Sequence, residues 1–406
     1  MTNHSLSAAK PTLPKIAIIG SGLTGLLTAT LLERAYHQHQ TDTTNQQPTS
    51  KPAGNPHITI FEKSRSVGRL ATRYRTDTTT GKNWQWAFGA QFFTAKTAPF
   101  QQFIKPWLVT GLLQPWCAQV VTMTPAPIKA PLTEDENENQ ALPTIEHKEQ
   151  WGTQQPRYIS TPKMTAWGRA LADELAHTTI EFQTRVAPLA QYTQHKMGKQ
   201  TELFDDKSAS LGQFDWVICT APNAQAIDLM ADSAFERQAD ISKPQMLACY
   251  TLMLGWEKEK PLPETINRQQ IDRWDVAYVK DSILDRVFIE HQKPAHHELL
   301  PSITIHARND WSEAHVDDDI DTVKAQLLAA AQQLLHWNKS SAPSQIDCHR
   351  WRYAATVVDD KDRHEGLGAL VDHQHRWIVT GDWCGQGSIE SCYHMAQEAV
   401  AAIVGY

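Results

Sequence analysis

The chain has 406 residues, enough for two or three domains at roughly 100–200 residues each. Its 38 basic against 45 acidic side chains give a formal net charge of −7, which argues against a nucleic-acid-binding surface. Hydrophobic residues make up 41% and mean hydropathy is −0.46, so a large core is available, yet no apolar run reaches the roughly 18 residues of a membrane span.

Met1 to Lys15 has no apolar stretch and is expected to carry no secretory signal. The six cysteines, at 117, 219, 249, 348, 384 and 392, form no C-x-x-C, so neither a disulfide framework nor a zinc site is expected. A reduced, soluble, cytoplasmic protein with no membrane or nucleic-acid partner fits these counts. The 14 tryptophans read first as core packing and second as flat surfaces around a planar ligand.

Lys15 to Ile19 (KIAII) reads as a buried parallel strand, because its apolar run is continuous. Gly22 to Tyr36 follows as a helix, with leucines recurring at helical spacing. A second strand, Ile58 to Phe61, ends in Glu62. The polar segment between them, His37 to His57, reads as a surface insertion too poor in apolar side chains to order itself. Thr124 to Gln155, with the acidic run 134–138, reads as a solvated loop. Thr161-Pro162 is expected to open a helix reaching about His177. Strands are expected near Ile180 to Val186, Asp215 to Cys219, Met246 to Trp256, Ile303 to Ala307, Asp347 to Tyr353 and Arg376 to Thr380. Helices are expected after Pro222, over Asp317 to Trp337 and over Gly387 to Val404.

Gly20-Ser21-Gly22-Leu23-Thr24-Gly25 is G-x-G-x-x-G between a strand and a helix, the context that gives the motif meaning. Gly20 permits a tight turn, Gly22 lets backbone approach a pyrophosphate, and Gly25 lets helix pack on strand. The helix N-terminus offers N–H groups and a positive dipole end to phosphate. Glu62 at the next strand end can accept from ribose hydroxyls, and a carboxylate there repels a 2′-phosphate. The site therefore suits FAD or NAD, with Lys63 beside it. Two features favour FAD. Gly68-Arg69 places a guanidinium fork for phosphate just past the acid. Gly381-Asp382-Trp383 lies between a late strand and the last helix. Asp382 there can bind ribityl hydroxyls, and the helix N-terminus can face the pyrimidine side of a flavin.

These residues resemble the renalase-like branch of the FAD-dependent amine oxidase superfamily. The matching segments are IAIIGSGLTGLLTA (16–29), ITIFEKSRSVGRLATR (58–73), FGAQFFTAK (88–96), TPKM (161–164), FDWVICTAP (214–222), HRWRYA (349–354) and GDWCGQGSIE (381–390). The resemblance implies an α/β protein in which a Rossmann-type FAD-binding domain (1–95, 158–245 and 345–406) carries an inserted α+β substrate domain on an antiparallel sheet (96–157 and 246–344). It implies non-covalent FAD held by Gly20, Gly22, Gly25, Glu62, Arg69, the Val186 backbone, Asp382 and Ile389. Gln91, Arg352 and Trp383 are implied near the isoalloxazine, on the substrate side. The chain departs from the family pattern in three places. Val67-Gly68-Arg69 stands where Gly-Gly-Arg is usual, Ala87-Phe88-Gly89 stands where Asp-His-Gly is common, and the 37–57 insertion is unusual.

The activity so implied is oxidation of a small hydride donor, first the 2- and 6-dihydro isomers of NAD(P), with O2 reoxidising the flavin to give H2O2. Such chemistry resides in the cofactor and needs little acid–base help. Arg352, between Trp351 and Tyr353, is the expected substrate-facing cation. An alternative reading of it is an Arg paired with Asp or Glu. The alternatives for the whole chain are an amine oxidase or desaturase on this scaffold, for which no lysine near flavin N5 is identifiable, and a non-catalytic FAD-binding protein. His373 and His375 read as a solvated turn rather than a metal site, and Cys384 and Cys392 as packing residues rather than flavin tethers.

Overall fold

The computed structural model describes residues 13–43, 54–65, 68–127, 141–192, 200–267, 273–357 and 366–405. Residues 44–53 of the polar insertion, Val67 and the acidic run 134–138 lie outside them. The chain divides into two compact units. The first comprises Met1–Gly68, Gly168–Pro244 and Val358–Tyr406, and the second Arg69–Trp167 and Gln245–Val357. The seams differ from the expected boundaries, because 69–95, 158–167 and 345–357 fall in the second unit. Strand pairing is the reason. Strand Gln345–Thr356 pairs with Met246–Gly255, and Arg157–Ser160 pairs with Phe93–Thr94 and Leu113–Pro115. The hairpin Thr72–Thr76/Asn83–Ala87 buries Trp84 and Trp86, whose indole N–H groups donate to the Trp256 and Leu254 carbonyls at 2.8 and 2.9 Å.

The first unit is built on a six-stranded sheet in the order Thr178–Phe182, His57–Glu62, Lys15–Ile19, Trp216–Cys219, Trp377–Val379, Leu370–Asp372. The first five strands are parallel and the last pairs antiparallel. Ile16, Ala17, Ile18, Val217, Ile218 and Ile378 are 0% exposed, as continuous apolar runs require in a sheet covered on both faces. Helices Leu23–Thr43 and Ile389–Val404 pack against each other. The first runs through Thr43, past the expected end at Tyr36 and into the polar insertion, since no Gly or Pro interrupts it there. The second is opened by a capping box, in which the Ser391 N–H donates to Ser388 Oγ at 3.0 Å. The helix expected from Thr161 starts at Thr165 instead and ends at Asp173. Thr161–Pro162 is a cis peptide ahead of it, and the Pro162 carbonyl is tied to Gln85 Nε2 at 2.8 Å.

The second unit is built on a seven-stranded sheet in the order 345–356, 246–255, 302–307, 284–289, 276–279, 119–124, 144–150. All its pairings are antiparallel except 276–279 with 119–124. Period-2 alternation gives the sheet two unlike faces. Tyr250, Leu252 and Leu254, Val287 and Ile289, and Ile303 and Ile305 form one core with Val323, Leu327, Ala331 and Leu334 of helix Ile320–Leu335. The opposite face carries Thr251, Met253, Arg286, Phe288, Thr304 and His306. The Asp319 carboxylate caps the helix by accepting the N–H groups of Asp321 and Thr322. His336 closes it in the left-handed region at φ 56°. Strand Thr144–Gln150 lies inside the stretch read as a loop. It is an edge strand, with Ile145 packed on the core and mostly exposed side chains otherwise, so its apolar pattern is faint. The tryptophans are packing residues: Trp86, Trp151, Trp167, Trp256, Trp274, Trp377 and Trp383 are all below 2% exposed.

Candidate functional site

In the first unit, strand Lys15–Ile19 has His57–Glu62 on one side and Trp216–Cys219 on the other. The chain order reverses there, and the turns that leave the carboxyl ends of these strands gather at one edge of the sheet. That edge of an open parallel sheet is where ligands bind. The glycines sit in that turn for three distinct reasons. Gly20 has φ 108°, and a Cβ on it would lie 2.9 Å from Thr220 Oγ1. A Cβ on Gly25 would lie 2.1 Å from the Gly20 carbonyl oxygen, so any side chain would force the helix off the strand. A Cβ on Gly22 would meet nothing within 4 Å. Gly22 therefore faces open space beside the N–H groups of Leu23, Thr24 and Gly25, which have no acceptor within the helix. Gly68 (φ 49°) closes on this turn, and its Cβ would lie 2.8 Å from Gly22 Cα.

Glu62 ends the neighbouring strand, 8% exposed. Its Oε2 accepts the Ser21 N–H at 2.8 Å and the Ser21 hydroxyl at 3.1 Å. Its Oε1 accepts the Ser64 N–H at 2.8 Å and the Ser64 hydroxyl at 2.7 Å. A carboxylate has about four acceptor sites, and here all are used to brace the glycine turn. A ribose hydroxyl reaches Glu62 only by displacing a serine hydroxyl. Lys63 is exposed and donates to Gln225 Oε1 at 2.8 Å. Partial burial, with Arg185 nearby, lowers its pKa from the usual lysine value.

Val186 forms an isolated antiparallel bridge with Asp205. The hydrogen bonds there belong to its neighbours, Ala187 N–H to the Phe204 carbonyl and Asp206 N–H to the Arg185 carbonyl. The peptide N–H and carbonyl of Val186 itself take no partner among the described residues. At the end of strand 377–379, Asp382 opens a short 3-10 turn and is 6% exposed. Its carbonyl accepts the N–H groups of Gly385 and Gly387 at 3.0 and 2.9 Å. Ile389 begins the last helix, and its N–H also takes no partner among the described residues.

The expected substrate-side residues are placed differently. Trp383 is 1% exposed and its indole N–H is held by the Ala221 carbonyl at 2.9 Å, so it packs the first unit and faces no substrate. A Cβ on Gly381 would lie 2.5 Å from that indole nitrogen, so Gly381 serves the tryptophan's seat. Arg352 is 45% exposed and pairs with the Asp317 carboxylate at 2.8 Å. It projects from the second unit's edge strand 345–356 as a solvated ion pair, not as part of an enclosed site. Arg69 lies in the second unit, where it donates to the Tyr353 and Ala354 carbonyls at 3.4 and 3.3 Å. Gln91 is 4% exposed with both ends of its amide engaged: Oε1 accepts from Lys293 at 2.6 Å, and Nε2 donates to the Ala87 carbonyl. It is held by its own unit and is not open to a substrate.

Sequence reasoning missed the residues around Gln91. Lys293 and Glu290 form an ion pair at 2.9 Å, with side chains 2% and 0% exposed. Burial lowers the Lys293 pKa and Glu290 opposes that. Glu290 Oε1 also accepts the Ala87 N–H at 3.2 Å and the Thr304 hydroxyl at 2.6 Å. His306 Nε2 lies 3.4 Å from Gln91 Nε2. Burial, with Arg286 and Lys293 close by, pushes the His306 pKa down to about 3. A lysine in E-H-Q-K carries no recognisable motif, so only the fold could bring it to Gln91. Among the described residues no group of three His, Cys, Asp or Glu could hold a metal. His375 instead pairs with Asp372 at 2.8 Å. Burial raises the Cys384 thiol pKa well above its usual value, so the thiol stays protonated.

No family model matches the sequence. Solved structures share the fold. A protein from Exiguobacterium sp. 255-15 assigned as a protoporphyrinogen oxidase aligns with a TM-score of 0.66 at 12% identity, over 97% of this chain and 99% of its own. Wild-type putrescine oxidase bound to putrescine aligns with a TM-score of 0.62 at 13% identity, over 98% of this chain and 100% of its own. At such identities the likeness is one of mixed α/β fold along the whole length.

Proposed function

We propose that the chain is an FAD-dependent oxidoreductase whose first unit is a Rossmann-type FAD-binding domain. One observation carries the reading. The glycine turn at the carboxyl edge of the parallel sheet forbids a Cβ on Gly25, 2.1 Å from backbone, while leaving open space at Gly22. A phosphate-bearing ligand has a use for that combination, and a plain strand-turn-helix does not. The residues fit the whole cofactor. Gly20 to Gly25 would hold the pyrophosphate on the helix N-terminus. Ser21 and Glu62 would take the ribose once a serine hydroxyl turns away. The unpartnered peptide of Val186 suits the adenine edge, Asp382 the ribityl chain, and the Ile389 N–H the pyrimidine carbonyl of the flavin. Both fold neighbours carry oxidase names, which agrees with this reading.

The chemistry the bound cofactor supplies is acceptance of a hydride from a small donor and return of the electron pair to O2 as H2O2. The chain's own work is to bind the donor in register and keep bulk water out. We assign the 2- and 6-dihydro isomers of NAD(P) as donors, on the motifs shared with renalase-like proteins. The test is the absorption spectrum of the purified protein, followed by anaerobic mixing with 2-, 4- and 6-dihydro-NAD(P). The expected result is a flavin band bleached far faster by the 2- and 6-isomers than by the 4-isomer, with peroxide released on admitting air. A protein that binds no flavin overturns the proposal. Flavin bleached by putrescine, and by none of the three isomers, replaces it with an amine oxidase, the reading that the putrescine oxidase neighbour favours.

A further inference from the structure

The ion pair Lys293–Glu290 is sealed in the second unit, and stability does not explain it. Removing two charges from water costs several kcal/mol, and apolar replacements of a buried pair are often neutral or stabilising. Its contacts show what it does. Glu290 holds Ala87 through the backbone N–H, and Lys293 holds Gln91 through Oε1. The pair thus grips both ends of the 87–91 segment. An ammonium only donates, so the amide atom facing Lys293 is the oxygen. The Gln91 NH2 group is thereby turned toward the Ala87 carbonyl and His306 Nε2.

That orientation decides a tautomer. The pKa of His306 is about 3, so the imidazole is neutral at working pH. Its Nε2 faces an NH2 donor and must accept, so the ring proton is on Nδ1. Nδ1 takes no hydrogen bond among the described residues and is absent from their sealed, unpartnered atoms. The side chain keeps partial exposure, although it stands on a central strand with Phe288 edge-on at 5.3 Å. A neutral donor beside an aromatic wall matches a planar ring bearing an uncharged acceptor, such as a carboxamide or ring carbonyl. It offers nothing to an ammonium.

We propose that His306, as its Nδ1–H tautomer, binds a carbonyl oxygen of the hydride donor, and that Gln91, Lys293 and Glu290 are positioning residues that fix that tautomer. The inference rests on the flavin-oxidoreductase reading and names the substrate class and contact residue for it. It moves the substrate contact expected of Gln91 one side chain outward.

The test uses flavin-loaded protein and steady-state kinetics with the dihydronicotinamide isomer that reduces the wild type fastest. His306→Leu removes the donor, while His306→Asn keeps an N–H near the place of Nδ1. The expected KM rises about 3- to 10-fold in His306→Leu, the worth of one neutral hydrogen bond. His306→Asn is expected within about 3-fold of wild type. Lys293→Met with Glu290→Gln removes the pair without leaving a lone buried charge. It is expected to keep the wild-type melting temperature within a few degrees and the flavin content unchanged, yet to raise KM as His306→Leu does. A purely structural pair would move the melting temperature and leave KM alone. Equal KM in wild type and His306→Leu overturns the substrate role of His306. An unchanged KM in the double variant overturns the positioning role. Flavin that no dihydronicotinamide isomer reduces overturns the proposed function and this inference together.

Discussion

Gly22 and Gly25 stand three residues apart in one motif, and geometry gives them opposite sensitivities. At Gly25 a Cβ collides with the Gly20 carbonyl at 2.1 Å, so Gly25→Ala is expected to cost folding itself, read as insoluble expression or a sharply lowered melting temperature. At Gly22 a Cβ enters open space, so Gly22→Val is expected to leave the melting temperature of the flavin-free protein unchanged while abolishing the flavin band. Equal behaviour of the two variants would sink the phosphate-cradle reading. His306 makes a separate prediction. Its folded pKa, about 3, lies below the ordinary 6.5, so between those values the unfolded chain binds a proton that the folded chain refuses. Stability therefore falls as pH drops through that window. Arg286 on the adjacent strand and Lys293 on the short 3-10 helix push in this direction, and Glu290 neutralises part of the Lys293 charge. The melting temperature is expected to fall from pH 7 to pH 5 less steeply in His306→Leu than in wild type. His349, pushed down to about 4 by burial and Arg73, leaves some slope in both.

Elements with a local signature were legible and elements without one were not. Helix Ile320–Leu335 lies within the expected 317–337, because Asp319 is a good N-cap and the apolar spacing is helical. Asp319→Ala is expected to destabilise the second unit by about 1 kcal/mol through two lost backbone contacts, measurable by urea denaturation. No change would mean that the helix is held by packing alone. The last helix followed equally from its start signal at Ser388. Strand Thr144–Gln150 gave no such signal, because an edge strand is made by its neighbour's backbone rather than by its own side chains. The proline at 162 misled for a related reason. Its carbonyl is bound by Gln85, a partner distant in sequence, and the turn it belongs to ends before the helix begins.

Each of the two units has its own sheet and core. If the first unit binds FAD as proposed, ligand linkage follows. Free FAD at about 100 times its dissociation constant is expected to add roughly 2.7 kcal/mol to the unfolding free energy. Calorimetry with and without added flavin reads this, and Gly22→Val is expected to lose the gain. The absence of a flavin-dependent shift in the wild type would remove the cofactor from the first unit.

The amino-acid sequence alone determined the parallel sheet's first βαβ unit, the role of each glycine in its turn, and the helices with caps. These depend on neighbours a few residues away, so spacing and residue type suffice. The tertiary structure decided where the units divide, and that Trp383 packs inward and Arg352 outward. It also decided that Lys293 and Glu290, about 200 residues from Gln91 and Ala87, hold that segment in place. A buried charge shows its purpose only through its partner. The chain order does not name the partner, because pairing across a sheet is set by register and burial rather than by proximity along the chain.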